Sequence, residues 1–358
     1  MSGYELHQKL RTKVVRLTKK KAYPEAITAL HTGALELLSQ GEQGSGCDLG
    51  IYMLDVYNLA DTPVTAETRS RVTDIVAAAK ADFWRKKLVD AAVKWSSKSG
   101  GADAELRLFA AKLYAKDGEY ELAEPHFLAA SSSDPEAAKE FAGAMAAWLS
   151  AVAKRATEEK GEERTQDAIE RIEAGRFALR ATLPLLASRN VPAAVAFIQT
   201  YLETLTARLR SLLLPISPNP RAFTAPNGTQ TDFKLSITAN SELNFAQMAT
   251  ALSLAAQSGV NDALRTAWAN LVRQFERESQ PDPNATGAIA QIGTAVFGIA
   301  QRRQGGNMLS DMMASLFNAP PQQQRVAAPP TQSNQPPPSA TSAATEAKAD
   351  DLVDDEMD

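Results

Sequence analysis

The amino-acid sequence predicts an all-α fold, namely an α-solenoid of tetratricopeptide-like antiparallel helix pairs that carries one small β-hairpin. From Tyr4 to about Gln280, apolar residues recur three and four positions apart, which is the spacing of amphipathic helices. Short breaks rich in glycine, proline and polar residues divide this pattern into consecutive helices. These breaks are Ala22–Pro24, Gly41–Gly46, Asp61–Pro63, Ser99–Gly101, Asp117–Gly118, Ser131–Pro135 and Asn190–Pro192.

A weak internal echo supports the solenoid. After three of the breaks, a bulky residue is followed by alanine three positions later and by another bulky residue four positions after that. A small residue at this spacing lets neighbouring helices approach closely, as in tetratricopeptide repeats. The copies are Tyr23-x-x-Ala26-x-x-x-Leu30, Tyr120-x-x-Ala123-x-x-x-Phe127 and Val191-x-x-Ala194-x-x-x-Ile198. Their irregular spacing predicts a degenerate solenoid rather than a countable array.

The first helix, from Tyr4, has an apolar stripe and a basic face. A run of cations is usually a solvated face, but a basic amphipathic helix can also bind an anionic membrane, nucleic acid or an acidic protein. No aromatic residues for base stacking lie among these cations, so we favour an acidic protein surface. The stripe is Leu6, Leu10, Val14 and Leu17, and the basic face is Lys9, Lys13, Arg16 and Lys20, extended by Lys19 and Lys21.

The segment from Gly41 to Asp48 raises a choice between nucleotide binding and protein binding. Glycines can let backbone N–H groups converge on a phosphate, but such a loop follows a strand. Here residues 26–40 predict a helix, so we expect a turn between helices, with Asp48 as the N-cap of the next one. Asp48 and Asp55 lie about 10 Å apart along that helix. They are too far apart for joint catalysis and suit a charged docking face.

Residues 231–238 alternate apolar and polar side chains, which predicts a strand. Residues 239–242 form a predicted turn, and Leu243–Phe245 are either the return strand or the entry to the next helix. We expect a β-hairpin near residues 231–245, preceded by a loop over 214–228. Its exposed edge either folds back on the solenoid or receives a segment of another chain.

The C-terminal part predicts helices over 246–258, 262–278 and 286–302. Residues 307–317 form a short amphipathic, methionine-rich segment that is either a terminal cap or a partner-binding helix. From Ala319 onward, proline, glutamine and small residues lead to an acidic end, which predicts disorder. The predicted organisation is an N-terminal half over 1–150, a C-terminal half over 151–317 and a tail over 318–358.

Composition argues against several functions. The chain has one cysteine, Cys47, and three histidines that are not spaced as metal ligands. A formal net charge of −4 gives no general attraction to nucleic acid. The start of the sequence carries no signal segment, and no run of eighteen apolar residues occurs. We therefore expect a cytosolic protein that is not an enzyme, has no cofactor and no metal, binds no nucleic acid and does not insert directly into a membrane.

Several motifs resemble the Golgi-to-ER traffic protein four family, the scaffold subunit of the guided-entry-of-tail-anchored-proteins pathway. The likeness covers about residues 4–317. It is carried by Tyr4-Glu5-x-His7-Gln8-x-Leu10-Arg11-Thr12, Tyr23-x-x-Ala26-Ile27, Gly44-Ser45-Gly46-x-Asp48-Leu49-x-x-Tyr52-x-Leu54-Asp55-Val56-Tyr57, Leu243-Asn244-Phe245 and Asn307-Met308-Leu309-x-Asp311-Met312-Met313.

The resemblance implies a cytosolic helical scaffold with two partners. Its N-terminal half would recruit the targeting ATPase for tail-anchored proteins, and its C-terminal half would hold a ubiquitin-like adaptor, through which a tetratricopeptide co-chaperone is reached. By position, the ATPase face would be Arg16, Lys19, Lys20, Lys21, Asp48 and Asp55. The adaptor site would be Phe233, Leu235, Ile237, Leu243 and Phe245.

Two departures from the family pattern bear on that face. Family members usually open with a further helix that pairs with the one beginning here at Tyr4, so we expect the stripe from Leu6 to Leu17 to be exposed. Lys19 stands where the family has arginine, which weakens bidentate pairing.

The alternatives to the bridging scaffold are a generic helical-repeat adaptor of another assembly and, in third place, a nucleotide-binding protein using Gly41–Gly46.

Overall fold

The computed structural model describes residues 2–97, 103–160, 165–279, 281 and 283–300, and it confirms the all-α solenoid. The predicted break at 99–101, the methionine-rich segment 307–317 and the tail 318–358 lie outside the described residues. The helices are α1 (Gly3–Lys19), α2 (Tyr23–Ser39), α3 (Gln43–Leu59), α4 (Ala66–Ala78), α5 (Phe83–Ser96), α6 (Ala104–Lys116), α7 (Tyr120–Ser131), α8 (Pro135–Lys160), α9 (Gln166–Ala187), α10 (Val191–Arg208), α11 (Ser241–Ala256), α12 (Asp262–Glu278) and α13 (Pro283–Ala295).

From α1 to α11, each helix packs against its successor or against the helix two positions along, which is the contact pattern of a solenoid, and α13 packs on α9. Thus α2 packs between α1 and α3, α3 also packs on α5, and α8 packs on α7, α9 and α10. One buried polar group ties three of these helices together. Glu170 of α9 is fully buried and pairs with Arg208 of α10, whose guanidinium also donates to the carbonyl oxygen of Ala146 in α8 at 3.3 Å.

Several described helix ends match the predicted breaks, but α3 begins at Gln43, inside the predicted break 41–46, and α13 ends at Ala295 rather than at 302. Ser2 and Glu5 form a capping box at the start of α1, and Asp103 caps α6 by accepting from the backbone N–H of Leu106. After α2 and α6 the chain turns through Gly41 and Gly118, whose φ values of 84° and 80° favour glycine.

The internal echo is also confirmed. Its three copies begin at the first residues of α2, α7 and α10. Their alanines, Ala26, Ala123 and Ala194, are at most 1 % exposed, as expected for positions where neighbouring helices approach closely.

The prediction that Asp48 is an N-cap is wrong. Helix α3 begins at Gln43, so Gly44, Gly46 and Asp48 all lie inside it. The reason is packing: a Cβ atom on Gly46 would lie 2.5 Å from Leu38 Cγ and 3.1 Å from the carbonyl oxygen of Ala34. Glycine is a poor helix former, but here its missing side chain lets α2 and α3 approach closely, and that contact offsets the low propensity.

The hairpin exists, but Leu243–Phe245 are not its return strand; of the two alternatives for these residues, the entry to the next helix is confirmed. Strand β1 (Arg221–Thr224) pairs antiparallel with β2 (Gln230–Leu235), and the chain turns between them at Gly228, whose φ is 80°. The pairing partner therefore lies before residue 231, within the segment predicted as a loop. Leu243 and Phe245 belong to α11, because Asn240 caps that helix by accepting from the N–H of Leu243 at 2.9 Å.

We predict opposite effects of adding one methyl group at two helical glycines. Gly46→Ala should lower the free energy of unfolding by about 1–3 kcal/mol, because the new Cβ overlaps α2. Gly143→Ala is the matched control, since Gly143 is an exposed position inside α8 with nothing within 4 Å of a new Cβ. It should raise that free energy by about 0.5–1 kcal/mol. Urea denaturation measures both, and equal effects would contradict the close approach of α2 and α3.

His126 of α7 makes stability depend on pH. It is 8 % exposed and stacks on Tyr114, with the Arg107 guanidinium 3.4 Å from its Nδ1. Burial, and secondarily the Arg107 charge, lower the pKa of His126 from its usual value of 6.5 to about 4. The unfolded chain therefore takes up this proton at a higher pH than the folded chain does.

It follows that stability should fall as the pH drops from about 6.5 towards 4, and that this loss is complete only below the folded pKa. His126→Gln should flatten this part of the pH profile relative to the wild type. Thermal unfolding at several pH values between 4 and 7 measures the slope. An unchanged slope in the variant would show that His126 is not the group responsible.

Candidate protein-interaction surfaces

The predicted basic residues lie together at the C-terminal end of α1. Arg16 and Lys19 occupy its last turn, Lys20 is the C-cap residue and Lys21 follows with a φ of 59°. All four side chains are exposed, and none forms an ion pair within the described part of the chain. Cations at a helix C-terminus are favoured by the helix dipole, and here they remain available to a partner.

The two predicted acidic residues differ in their surroundings. Asp48 Oδ2 lies 2.8 Å from His7 Nε2 and 2.5 Å from an Arg11 nitrogen, and the Arg11 guanidinium lies over the Tyr52 ring at 5.3 Å. Asp48 therefore joins α3 to α1. Asp55 is exposed and has no ion pair among the described residues. Of these two aspartates, Asp55 is therefore the one that presents an uncompensated carboxylate.

The expectation that the α1 stripe is exposed is wrong. Val14 is fully buried, while Leu6, Leu10 and Leu17 are partly buried against the core. The stripe faces α2 and α3, on which α1 packs. The exposed hydrophobic residues on this helix are instead Tyr4, at 69 %, and Val15, at 43 %.

Three of the five predicted adaptor-binding residues are buried within the chain. Phe233, Leu243 and Phe245 are at most 2 % exposed, and Phe245 stacks on Phe275 of α12 at 4.0 Å. These side chains attach β2 and α11 to the body. Leu235 and Ile237 are half-buried and remain accessible.

Two accessible residues that sequence reasoning missed, Leu214 and Ile216, lie beside this strand. They are 37 % and 38 % exposed, and the N–H of Leu214 donates to the carbonyl oxygen of Ile237 at 2.9 Å. The Asn219 side chain bridges the two segments, donating to the carbonyl oxygens of Leu214 and Ile237. The sequence feature that could have identified these two residues is their position as an apolar pair within a proline-rich loop. We call Leu214, Ile216, Leu235 and Ile237 the hairpin patch.

The glycine segment does not form a phosphate loop. The N–H of Gly46 donates to the carbonyl oxygen of Glu42 inside the helix, at 2.9 Å, so it does not point to a ligand. Burial raises the pKa of Cys47 in the same segment to about 11, which disfavours a nucleophilic thiolate. In the described ranges, no cluster of three or more His, Cys, Asp or Glu side chains is arranged to bind a metal ion. None of the described helices is long and apolar enough to span a bilayer.

These features define a class: a helical solenoid with a charged surface in its N-terminal part and an apolar patch in its C-terminal part. Such an architecture is typical of proteins that bind other proteins. The family model for Golgi to ER traffic protein 4 matches residues 20–317. The chain belongs to this family.

Individual relatives agree with this assignment. Golgi to ER traffic protein 4 of Schizosaccharomyces pombe is 25 % identical over 319 residues, covering 88 % of this chain and 91 % of the relative. The Aspergillus fumigatus protein of that name is 29 % identical over 334 residues, covering 87 % and 84 %. A solved structure titled "Crystal structure of C. therm. Get4" superposes with a TM-score of 0.67 at 25 % identity, covering 91 % of this chain and 93 % of the other.

We predict that Asp48 holds α1 in place and that Asp55 does not. Asp48→Asn removes the charge that Arg11 and His7 share, a contribution on the order of 1 kcal/mol for partly exposed pairs. Backbone amides of α1 should then exchange with deuterium about fivefold faster, because a loss of about 1 kcal/mol in the free energy of local opening raises the open population about fivefold. Asp55→Asn is the matched control on the same helix and should leave α1 unchanged. Equal protection of α1 in both variants would refute the role of Asp48.

Proposed function

We propose that this protein is a cytosolic scaffold that bridges a ubiquitin-like adaptor to the ATPase that targets tail-anchored proteins to the ER membrane. A tetratricopeptide co-chaperone carried by the adaptor would thereby reach the ATPase. The observation that carries the proposal is the family match over residues 20–317, to which the geometry adds two accessible surfaces on different parts of the chain.

The ATPase would bind the surface formed by α1 and α3. Arg16, Lys19, Lys20 and Lys21 offer cations with no partner among the described residues, and Asp55 offers a free carboxylate. Opposite charges on one surface can fix the orientation of a charged partner and speed its association. Asp48 would act indirectly, by holding α1 against α3.

The adaptor would bind the hairpin patch. Its four side chains are apolar and partly accessible, and the backbone beneath them is fixed by the Asn219 hydrogen bonds. Phe233, Leu243 and Phe245 would support this surface from within the core rather than contact the adaptor. A preformed apolar surface binds without a large ordering cost.

The proposal predicts that the two partners can be lost separately. Asp55→Lys and Arg16→Glu should each weaken ATPase binding about tenfold and leave adaptor binding intact, because they alter charges on the α1–α3 surface only. Ile237→Asp should abolish adaptor binding and spare the ATPase, because it places a charge in the hairpin patch. Calorimetry with purified adaptor and with ATP-loaded ATPase measures both.

Glu203→Lys is the control for charge reversal, since Glu203 is exposed on α10, a helix that carries none of the residues assigned to either surface. It should change neither affinity. If the wild-type chain bound neither partner, the bridging function would be wrong, and a helical-repeat adaptor of another assembly would replace it. If Asp55→Lys abolished adaptor binding instead, the assignment of the surfaces would be wrong.

A further inference from the structure

Two large aromatic side chains are exposed at the start of α5. Phe83 is 69 % exposed and Trp84 is 40 % exposed, and their rings meet edge to face at 5.4 Å. The ammonium of Lys87 lies 5.7 Å from the centre of the Trp84 ring. We call Phe83 and Trp84 the aromatic tip. Adjacent exposed aromatic rings leave a large apolar area in water, which is a common mark of a binding surface.

The aromatic tip adjoins the exposed face of α3. A Cβ atom on Gly44 would lie 3.2 Å from Trp84 Cε2, so the indole ring packs closely over Gly44. The backbone N–H of Lys80 also donates to Gln43 Oε1 at 3.0 Å, which joins the segment before α5 to the first turn of α3. The position of the tip relative to α3 is therefore fixed by the contact of Trp84 with Gly44 and by the hydrogen bond just before the tip.

Helical geometry aligns the tip with the acidic residue on which the proposed function depends. Gly44, Asp48, Asp55 and Leu59 fall within about 60° of one another around the axis of α3 and span about 22 Å along it. Leu59 is itself 64 % exposed. The face thus carries an exposed carboxylate, Asp55, between an apolar residue at one end and the aromatic tip at the other.

The aromatic tip supplies a source of binding energy that the charged residues alone lack. Surface charges mainly set the specificity and the rate of association, whereas most binding energy in protein interfaces comes from a few aromatic or arginine residues in desolvated contacts. The charged residues assigned above to ATPase binding include no apolar anchor. The aromatic tip lies on the same face of α3, about 16 Å along the helix axis from Asp55, and provides one.

We propose that the aromatic tip is the apolar anchor through which the α3 face binds its protein partner. That partner would offer an apolar pocket for Trp84 and Phe83, a carboxylate near Lys87 and a cation opposite Asp55. A protein is favoured over an anionic bilayer because the exposed Asp55 carboxylate on the same face would be repelled by lipid phosphates. The inference rests on the proposed function for the identity of this partner, the targeting ATPase.

The test uses the full chain and the ATPase of the same organism, loaded with a non-hydrolysable ATP analogue. Trp84→Ala and Phe83→Ala should each weaken ATPase binding tenfold or more, with adaptor affinity unchanged. Ile172→Ala is the matched control, because Ile172 is 50 % exposed on α9, and it should change neither affinity. Phe83 is the more exposed of the pair, so its variant remains informative if Trp84→Ala destabilises the fold.

Salt dependence separates the anchor from the charges. Phe83→Ala should weaken binding equally at low and high salt, whereas Asp55→Asn should weaken it mainly at low salt. If Asp55→Lys lowers ATPase affinity and both aromatic variants bind like the wild type, the anchor is refuted and the proposed function stands. If the wild-type chain does not bind the ATPase at all, both fail. Normal ATPase binding by the aromatic variants with lost binding to phosphatidylserine vesicles would overturn the anchor in favour of a membrane contact.

Discussion

The close approach of neighbouring helices is the constraint on which the rest of the structure depends. From α1 to α11, each helix contacts its successor, the helix two positions along, or both, so small residues are needed where helices cross. Ala26, Ala123 and Ala194 meet this need at three crossings, and Gly46 meets it between α2 and α3. Since α3 is packed by α1, α2 and α5, only a narrow strip of its surface remains exposed. The proposed binding face is that strip.

Much of the fold could be predicted from the sequence because helical periodicity and helix-ending residues are local signals. The echo that begins at Tyr23, Tyr120 and Val191 located the starts of three helices. The glycines at 44 and 46 misled the prediction, because their local propensity opposes a helix and only contact with α2 explains one. The prediction of the hairpin failed for a different reason. The alternation of apolar and polar residues identified β2, but the four-residue β1 lies within a proline-rich segment and shows no strand periodicity.

The sequence identified most residues of the candidate surfaces, but it did not show which of them are paired or buried and which are free to bind a partner. Asp48 and Asp55 look equivalent along the helix, yet Asp48 pairs with His7 and Arg11, which are 41 and 37 residues away in sequence. No local pattern reports that pairing. Likewise, alternation identified the apolar residues of β2 but not which of them meet the core. Phe233 and Leu235 lie on the same side of β2, yet Phe233 is buried, whereas Leu235 and Ile237 are only half-buried and stay accessible.

The shallow attachment of α1 has a thermodynamic consequence for recognition. Val14 is its only fully buried side chain, so its docking relies on partly exposed leucines and on the pairing of Asp48 with Arg11 and His7. A ligand that needs Arg16 and Asp55 in register can bind only those molecules in which α1 is docked. Its apparent dissociation constant is then the intrinsic constant divided by the docked fraction. Any change in the Asp48 pairing would shift that fraction and so tune affinity without altering a contact to the ligand.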